Sequence, residues 1–380
     1  MRHAIGLARL LVFAAAMVVA GLARAQPSPA VDFASIPAIV NQEIASGHVP
    51  GAVILIGDSR RDLYRQAFGQ RVLGADPRPM TVDTIFDLAS LTKVVATTTA
   101  VMRLSQAGRL DLDAPVARYW PAFAANGKAA ITLRDLLTHH SGLRADLDLS
   151  QPWIGYDTAM AMIVAEKPLY PAGARYLYSD TNFEVLGELV RRVSGLPLDQ
   201  YCRQKIFLPL GMTDTGFLPA PALHDRIAPT EDTQGHVHWG DVHDATARWM
   251  GGVSGHAGVF STADDLAIFA RMLLNHGALN GVRILSAESV ARMTRVEAPA
   301  IGHTRGFGWD LGGVLGDPNF PAGSYGHLGY TGTMIWIDPG RDLFAIVLTH
   351  RVYPDGTGDA GPLRQAILGL LGKQPLSAAR

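Results

Sequence analysis

Apolar residues recur at helical spacing over 33–45, where Ile36, Ile39, Val40 and Ile44 share one face and Pro37 suits the first turn. Val49-Pro50-Gly51 ends that stretch. The pattern then changes: 52–56 is an unbroken apolar run and 63–68 a second strand-like run, predicting an antiparallel pair, with a polar loop over 71–82. The middle of the chain returns to helical spacing. Helices are predicted at 132–137, at 159–166, at 182–193 with Gly195 as the stop, and at 198–207. The strongest amphipathic pattern is 262–274, with Ser261 or Thr262 as cap and Asp264-Asp265 in the first turn. Strand-like runs come back at 326–330, 334–338 and 343–349, the last two joined by Pro339-Gly340-Arg341-Asp342, and 363–371 predicts a terminal helix. Strands at both ends with helices between them predict an α/β fold. Its antiparallel sheet is built from the N- and C-terminal segments and flanked by helices, with a helical lobe inserted. We place the α/β lobe at about 32–85 plus 283–380 and the helical lobe at about 86–282, within one catalytic domain over 26–380.

The first 25 residues change the compartment rather than the fold. Arg2 and Arg9 precede and enter an apolar stretch over 10–22 that is short for a bilayer span, and Ala23-Arg24-Ala25 reads as a cleavage site before Gln26. This predicts a secretory signal peptide, and a periplasmic or secreted protein without a transmembrane anchor after cleavage. The one cysteine, Cys202, excludes an internal disulfide, so the core alone must supply stability. A formal net charge of −1 leaves no basic footprint for nucleic acid.

Candidate chemistry centres on Asp87-Leu88-Ala89-Ser90-Leu91-Thr92-Lys93. It predicts a helix start with Ser90 in the first turn, continuing over 94–103 toward Gly108. Three residues apart, Ser90 and Lys93 share a face. A serine hydroxyl needs a base, and a buried lysine of lowered pKa can be one. Lys93 is one of only five lysines and lies in a largely uncharged run. The motif taken alone equally describes a helix cap followed by a partly buried lysine. Tyr178-Ser179-Asp180 falls between a turn and a helix, where Tyr178 could move protons near a lysine or simply pack in the lobe. His327-Leu328-Gly329-Tyr330 lies beside a glycine-rich turn, where the Tyr330 and Ser90 N–H groups could form an oxyanion hole. His327 could equally be an ordinary strand histidine. Asp241-Val242-His243-Asp244 and Ser254-Gly255-His256-Ala257-Gly258 match no zinc spacing, so we expect no metal and expect His243 and His256 to hydrogen-bond the cleft wall. Ala322-Gly323-Ser324-Tyr325-Gly326 approaches a lipase elbow but lacks its first glycine and precedes a strand, so Ser324 is not the nucleophile.

The order Ser90-x-x-Lys93, Tyr178-Ser179-Asp180, His327-Leu328-Gly329 resembles the serine β-lactamase and penicillin-binding protein superfamily, closest to its class C β-lactamase-like branch. The stretches 131–143, Pro209-Leu210-Gly211-Met212, 261–266 and Gly306-Phe307-Gly308-Trp309 match as well, so the resemblance spans about 33–372. It implies a β-lactamase/transpeptidase-like fold. Ser90 would be the acylated nucleophile, Lys93 its base and Tyr178 the proton shuttle. His327 would stand opposite Tyr178, and Ser90 and Tyr330, beside Gly329, would supply the oxyanion hole. No cofactor is implied.

Two departures bear on substrate. His327 stands where many relatives carry lysine, and a neutral histidine holds a carboxylate less firmly than a fixed cation. Asp180 stands where the family commonly has asparagine, and an ionised aspartate cannot donate a hydrogen bond. It could attract a substrate ammonium instead. The expected activity is that of an exported serine hydrolase, a peptidase or amidase on peptidoglycan-derived or D-amino-acid peptides, like a D-Ala-D-Ala carboxypeptidase. An esterase of small acyl esters, a weak β-lactamase and a catalytically idle cell-wall peptide binder are the alternatives.

Overall fold

A computed structural model describes residues 33–231, 234–297, 304–311 and 323–373. The predicted signal peptide over 1–25 and the predicted linker after it lie outside the described residues, as does Ala322 of the elbow-like stretch. No helix among the described residues is long and apolar enough to cross a membrane.

The centre of the molecule is a seven-stranded antiparallel sheet. Its order is Asp310–Leu311, Tyr325–Leu328, Met334–Asp338, Leu343–Thr349, Gly51–Gly57, Asp62–Val72, Arg78–Pro79. The two ends of the chain meet where Gly51–Gly57 pairs with Leu343–Thr349, from Ala52 opposite Thr349 to Gly57 opposite Phe344. Both of these strands are buried along their whole length. The reason is that the sheet is covered on both faces. Ala52, Ile54 and Ile56 pack with the helices Ile36–Ala45 and Gly361–Gly372, whereas Val53 and Leu55 face the helical lobe. Each such Ile or Leu contributes roughly 1.5–3 kcal/mol over its exposed state. That is why the run is continuously apolar rather than alternating.

The helix Ala263–Leu274 covers the lobe-side face, capped by Thr262, whose hydroxyl accepts from the Asp265 N–H. The helix Asp180–Ser194 begins two residues earlier than its spacing predicts. Ser179 is its cap, and Gly195, at φ +79°, is its stop. The predicted helix at 198–207 is in part π-helical, over Arg203–Phe207. The predicted loop at 71–82 contains the short edge strand Arg78–Pro79. The strand predicted to reach Tyr330 ends at Leu328.

Candidate active site

Ser90 sits where a short strand runs into a helix. Phe86–Asp87 pairs with Val259–Ser261, and the Leu88 N–H donates to the Val259 carbonyl. Ala89 then takes φ +47°, a left-handed conformation that residues with a Cβ rarely adopt. The helix that follows is not α-helical at the motif. Ala89–Leu91 is a 3-10 turn and Lys93–Thr98 a π-helical one, with α-helix only from Thr99 to Gln106. Spacing predicts a plain α-helix here. The wider π turn instead accompanies a strained entry, a pairing common at functional sites. The shared face survives the change, since the Lys93 ammonium donates to Ser90 Oγ at 2.9 Å.

Three segments hold this loop. The buried Asp87 carboxylate accepts from the N–H groups of Ala89 at 2.9 Å and His243 at 2.7 Å. Thr331 Oγ1 donates to the Asp87 carbonyl and Thr333 Oγ1 to that of Leu88. Gly329 crosses directly over Leu88: a Cβ at this position would collide with the Leu88 carbonyl oxygen and Thr333 Oγ1. Gly329→Ala is therefore expected to lower stability by about 1–3 kcal/mol, the range for overpacking, and to pull Tyr330 away from Ser90. Thermal unfolding checks the first effect and acylation rate the second. Tyr330 itself lies in the turn beyond the strand, 57% exposed, with its ring stacked on His243.

Lys93 is fully buried, but it does not behave as burial alone predicts. Burial lowers its pKa, whereas the Asp180 carboxylate, 2.6 Å from Nζ, and the neighbouring Tyr178 outweigh that and raise it above the ordinary lysine value. At rest Lys93 is an ammonium. Its further contacts are the His256 carbonyl at 3.3 Å and the Tyr178 ring, 5.0 Å from Nζ to the centroid. Asp180 is accordingly the counter-ion of Lys93 rather than a free anion awaiting a substrate ammonium.

His327 is buried and neutral. Its pKa falls well below the usual histidine range through burial and the nearby Arg305 and Lys93 charges. Its Nδ1 bonds the Leu328 carbonyl at 2.8 Å, so the proton is on Nδ1 and Nε2 carries a lone pair, with no hydrogen-bond partner. It stands opposite Tyr178, ring centroids 6.3 Å apart. It offers an acceptor, not a cation.

His139 was a landmark in the sequence without a role. It takes φ +60°, accepts from the Ser179 N–H on Nδ1 at 3.0 Å, and stacks on the Tyr178 ring at 4.4 Å. Arg305 approaches the same ring, 5.7 Å from its centroid. These two residues hold Tyr178 from behind. A histidine tolerates the left-handed region better than most residues, but nothing in the local pattern marks it.

The two His-Asp stretches come together behind Lys93. His256 Nε2 bonds Asp244 at 2.9 Å and Nδ1 bonds Ser254 Oγ at 2.8 Å. Burial disfavours its charge, yet Asp244 and Asp180 raise its pKa to about 10, so both nitrogens are protonated. His243 Nε2 meets the Glu231 carbonyl at 3.2 Å. Ligand atoms of Asp180, Asp244 and His256 approach within 4.8 Å of one another. An imidazolium and the Lys93 ammonium already neutralise both carboxylates, so this donor set does not fit a metal.

Glu184 lies deeper, 1% exposed, with neither oxygen hydrogen-bonded and Oε1 3.5 Å from His256 Nδ1. Burial raises its carboxyl to about 8, against the pull of His256, so it is neutral near pH 7. A raised folded-state pKa means stability is greatest at low pH and lost as pH climbs through that value. Glu184 loses its contribution progressively between about pH 4.5 and 8, and His256 between about pH 6.5 and 10. Asp244, held below the ordinary carboxylate range, acts oppositely and loses its contribution on acidification. Unfolding temperature is thus expected to fall on the alkaline side. Glu184→Gln should flatten the part of that fall between about pH 4.5 and 8, and parallel melting curves for the two proteins would refute the assignment.

Ser90, Tyr178, Asp180, Asp244, Arg248 and Tyr330 all line one cleft of about 750 Å3. Ser324, just before the strand Tyr325–Leu328, is buried (1% exposed) and is not among the cleft residues.

Comparison with known proteins agrees with this architecture. The β-lactamase family model matches residues 36–369. A protein of Escherichia coli O157:H7, named as a candidate D-alanyl-D-alanine carboxypeptidase, is 34% identical over 356 residues, covering 82% of this chain and 80% of the relative. A penicillin-binding protein homologue from Caulobacter crescentus superposes with a TM-score of 0.71 at 26% identity, covering 84% of this chain and 91% of its own. A family VIII carboxylesterase shares the fold with a TM-score of 0.72 at 24% identity, covering 91% and 99%. With its sheet, its helical lobe and a family match running almost from end to end, the chain belongs to the β-lactamase family.

Proposed function

We propose that the protein is an exported serine hydrolase that transfers acyl groups to water through Ser90, acting on peptidoglycan-derived or D-amino-acid peptides as a D-Ala-D-Ala carboxypeptidase does. The observation that carries the reading is the Lys93 ammonium, fully buried and 2.9 Å from Ser90 Oγ at the base of an open cleft. A buried charged side chain is costly unless it has a task or a partner. Here it has both.

Lys93 lies against both the Asp180 carboxylate and the Tyr178 ring, so both bear on the loss of its proton. The competent form carries one proton fewer on Lys93 or Tyr178 than the resting form. That form removes the Ser90 proton as Oγ attacks the scissile carbonyl. Tyr178 returns a proton to the leaving group, and the same groups then activate water for deacylation. The N–H groups of Ser90 and Tyr330 hold the oxyanion. The signal peptide supports the substrate class by giving access to the cell wall, and the carboxypeptidase name of the E. coli relative agrees with it.

Intact-mass analysis of the mature chain after exposure to a penicillin tests this reading, together with an assay for D-alanine release from an acyl-D-Ala-D-Ala peptide. An adduct confined to protein carrying Ser90, with D-alanine release, is the expected result. Hydrolysis of nitrophenyl esters with neither adduct nor release would overturn the carboxypeptidase reading in favour of an esterase. The neutral His327, which supplies no cation at the third motif, is the one observation favouring that second reading.

A further inference from the structure

The cleft raises a question of charge. Lys93 is spent on Asp180 and Ser90, and His256 on Asp244. His327 presents a lone pair. Arg351 lies over the Tyr330 ring and lines a neighbouring hollow instead, donating to the Tyr330 and Gly358 carbonyls. Arg248 is different. It lines the Ser90 cleft and is half-buried, and no carboxylate of the described residues forms an ion pair with it.

Its direction is set by the backbone. Nη1 donates to the carbonyls of Val242 at 2.9 Å and His243 at 2.8 Å, which leaves the Nε and Nη2 donors of the fork without a partner among the described residues. Its place relative to the nucleophile follows from the helix Ala245–Trp249. Asp244 caps that helix, and Arg248 stands one turn on, about 5.4 Å along the axis. The Asp244 carboxylate is within 4.8 Å of that of Asp180, which is 2.6 Å from Lys93. The guanidinium and Ser90 line the same cleft. Glu231 also lines the cleft but makes no ion pair with Arg248, so it leaves the guanidinium open.

We propose that Arg248 is the residue that receives a free carboxylate of the substrate, and that it supplies the cation the third motif lacks. A clamped guanidinium with open donors is matched in shape and charge to a carboxylate, which it binds through two parallel hydrogen bonds. The proposal rests on Ser90 being the acyl acceptor in this cleft. It commits the enzyme to anionic substrates, whether the scissile bond is an amide or an ester.

Two measurements test it. The first compares an ester of a carboxyphenol, which carries its carboxylate on the leaving group as acyl-D-Ala-D-Ala does, with the ester of the matching uncharged carboxamidophenol. The kcat/KM ratio of anionic to neutral substrate is expected to fall by about tenfold or more in Arg248→Gln, and by less in Arg248→Lys, which keeps charge without the fork. The loss should appear mainly in KM. A ratio unchanged in both variants would overturn the proposal. The second measures equilibrium binding of acyl-D-Ala-D-Ala and of its C-terminal amide to Ser90→Ala and to Ser90→Ala/Arg248→Gln. Preference for the free carboxylate should vanish with Arg248. Equal binding of acid and amide to Ser90→Ala would also overturn it. Failure of the Ser90 reading looks different: ester turnover would survive Ser90→Ala, while the binding comparison would still report on Arg248.

Discussion

Ser90→Ala is expected to lower turnover of any substrate by roughly 10^4-fold or more and to abolish labelling by a reactive phosphonate, while the protein stays folded. The size follows from the geometry. Oγ is the atom that Lys93 addresses, and Ser324, in the elbow-like stretch, is buried and does not line the cleft. Removing Oγ deletes the covalent step itself. Removing an oxyanion donor would cost only about 10^2–10^3. Ser324→Ala should keep wild-type labelling and turnover. Residual activity in Ser90→Ala within tenfold of wild type would assign the chemistry elsewhere. The cost to the fold is small, because Ser90 is half-buried and, among the described residues, its hydroxyl hydrogen-bonds only Lys93.

Asp180→Asn carries the second large effect, on pH dependence rather than on rate alone. Asp180 is a main reason Lys93 stays protonated against its burial. An asparagine keeps the shape but removes the negative charge, leaving burial to pull the lysine pKa down. For full burial such shifts reach 3–5 units. Each unit changes the neutral fraction tenfold at a pH below the pKa. The sign is definite. The competent form of the Lys93–Tyr178 unit lacks a proton, so the acid limb of kcat/KM should move to lower pH in the variant, by about 2 units or more. An acid limb that stays in place would show that Lys93 does not set it and that Tyr178 alone is the base. Loss of the Asp180 charge also leaves a buried ion without its partner, so a lower melting temperature at acid pH, where Lys93 is still charged, is part of the same expectation.

Both experiments test a site whose members were legible at very different depths. Ser90, Lys93, Tyr178 and His327 could be named because each occupies a short motif, and the structure brings all four together around Lys93 and Tyr178. What those residues do electrostatically was not legible. A lowered Lys93 pKa followed sensibly from burial and was wrong, because Asp180 lies 87 residues away in the chain and 2.6 Å away in space. His139, Arg305 and Glu184 carry no local signature, since each matters only through the ring or charge it meets.

The sequence by itself determined the architecture. An apolar run with no polar alternation requires a sheet covered on both faces, and strands at both ends of the chain require that those ends pair. Hydrophobic periodicity is a local property, so it survives reading without coordinates. The tertiary structure alone decided the charge state of the site and the direction in which Arg248 points. Coulombic interactions depend on distances of a few ångströms between segments that chain order does not relate, and on how much water the packed lobe excludes from between them.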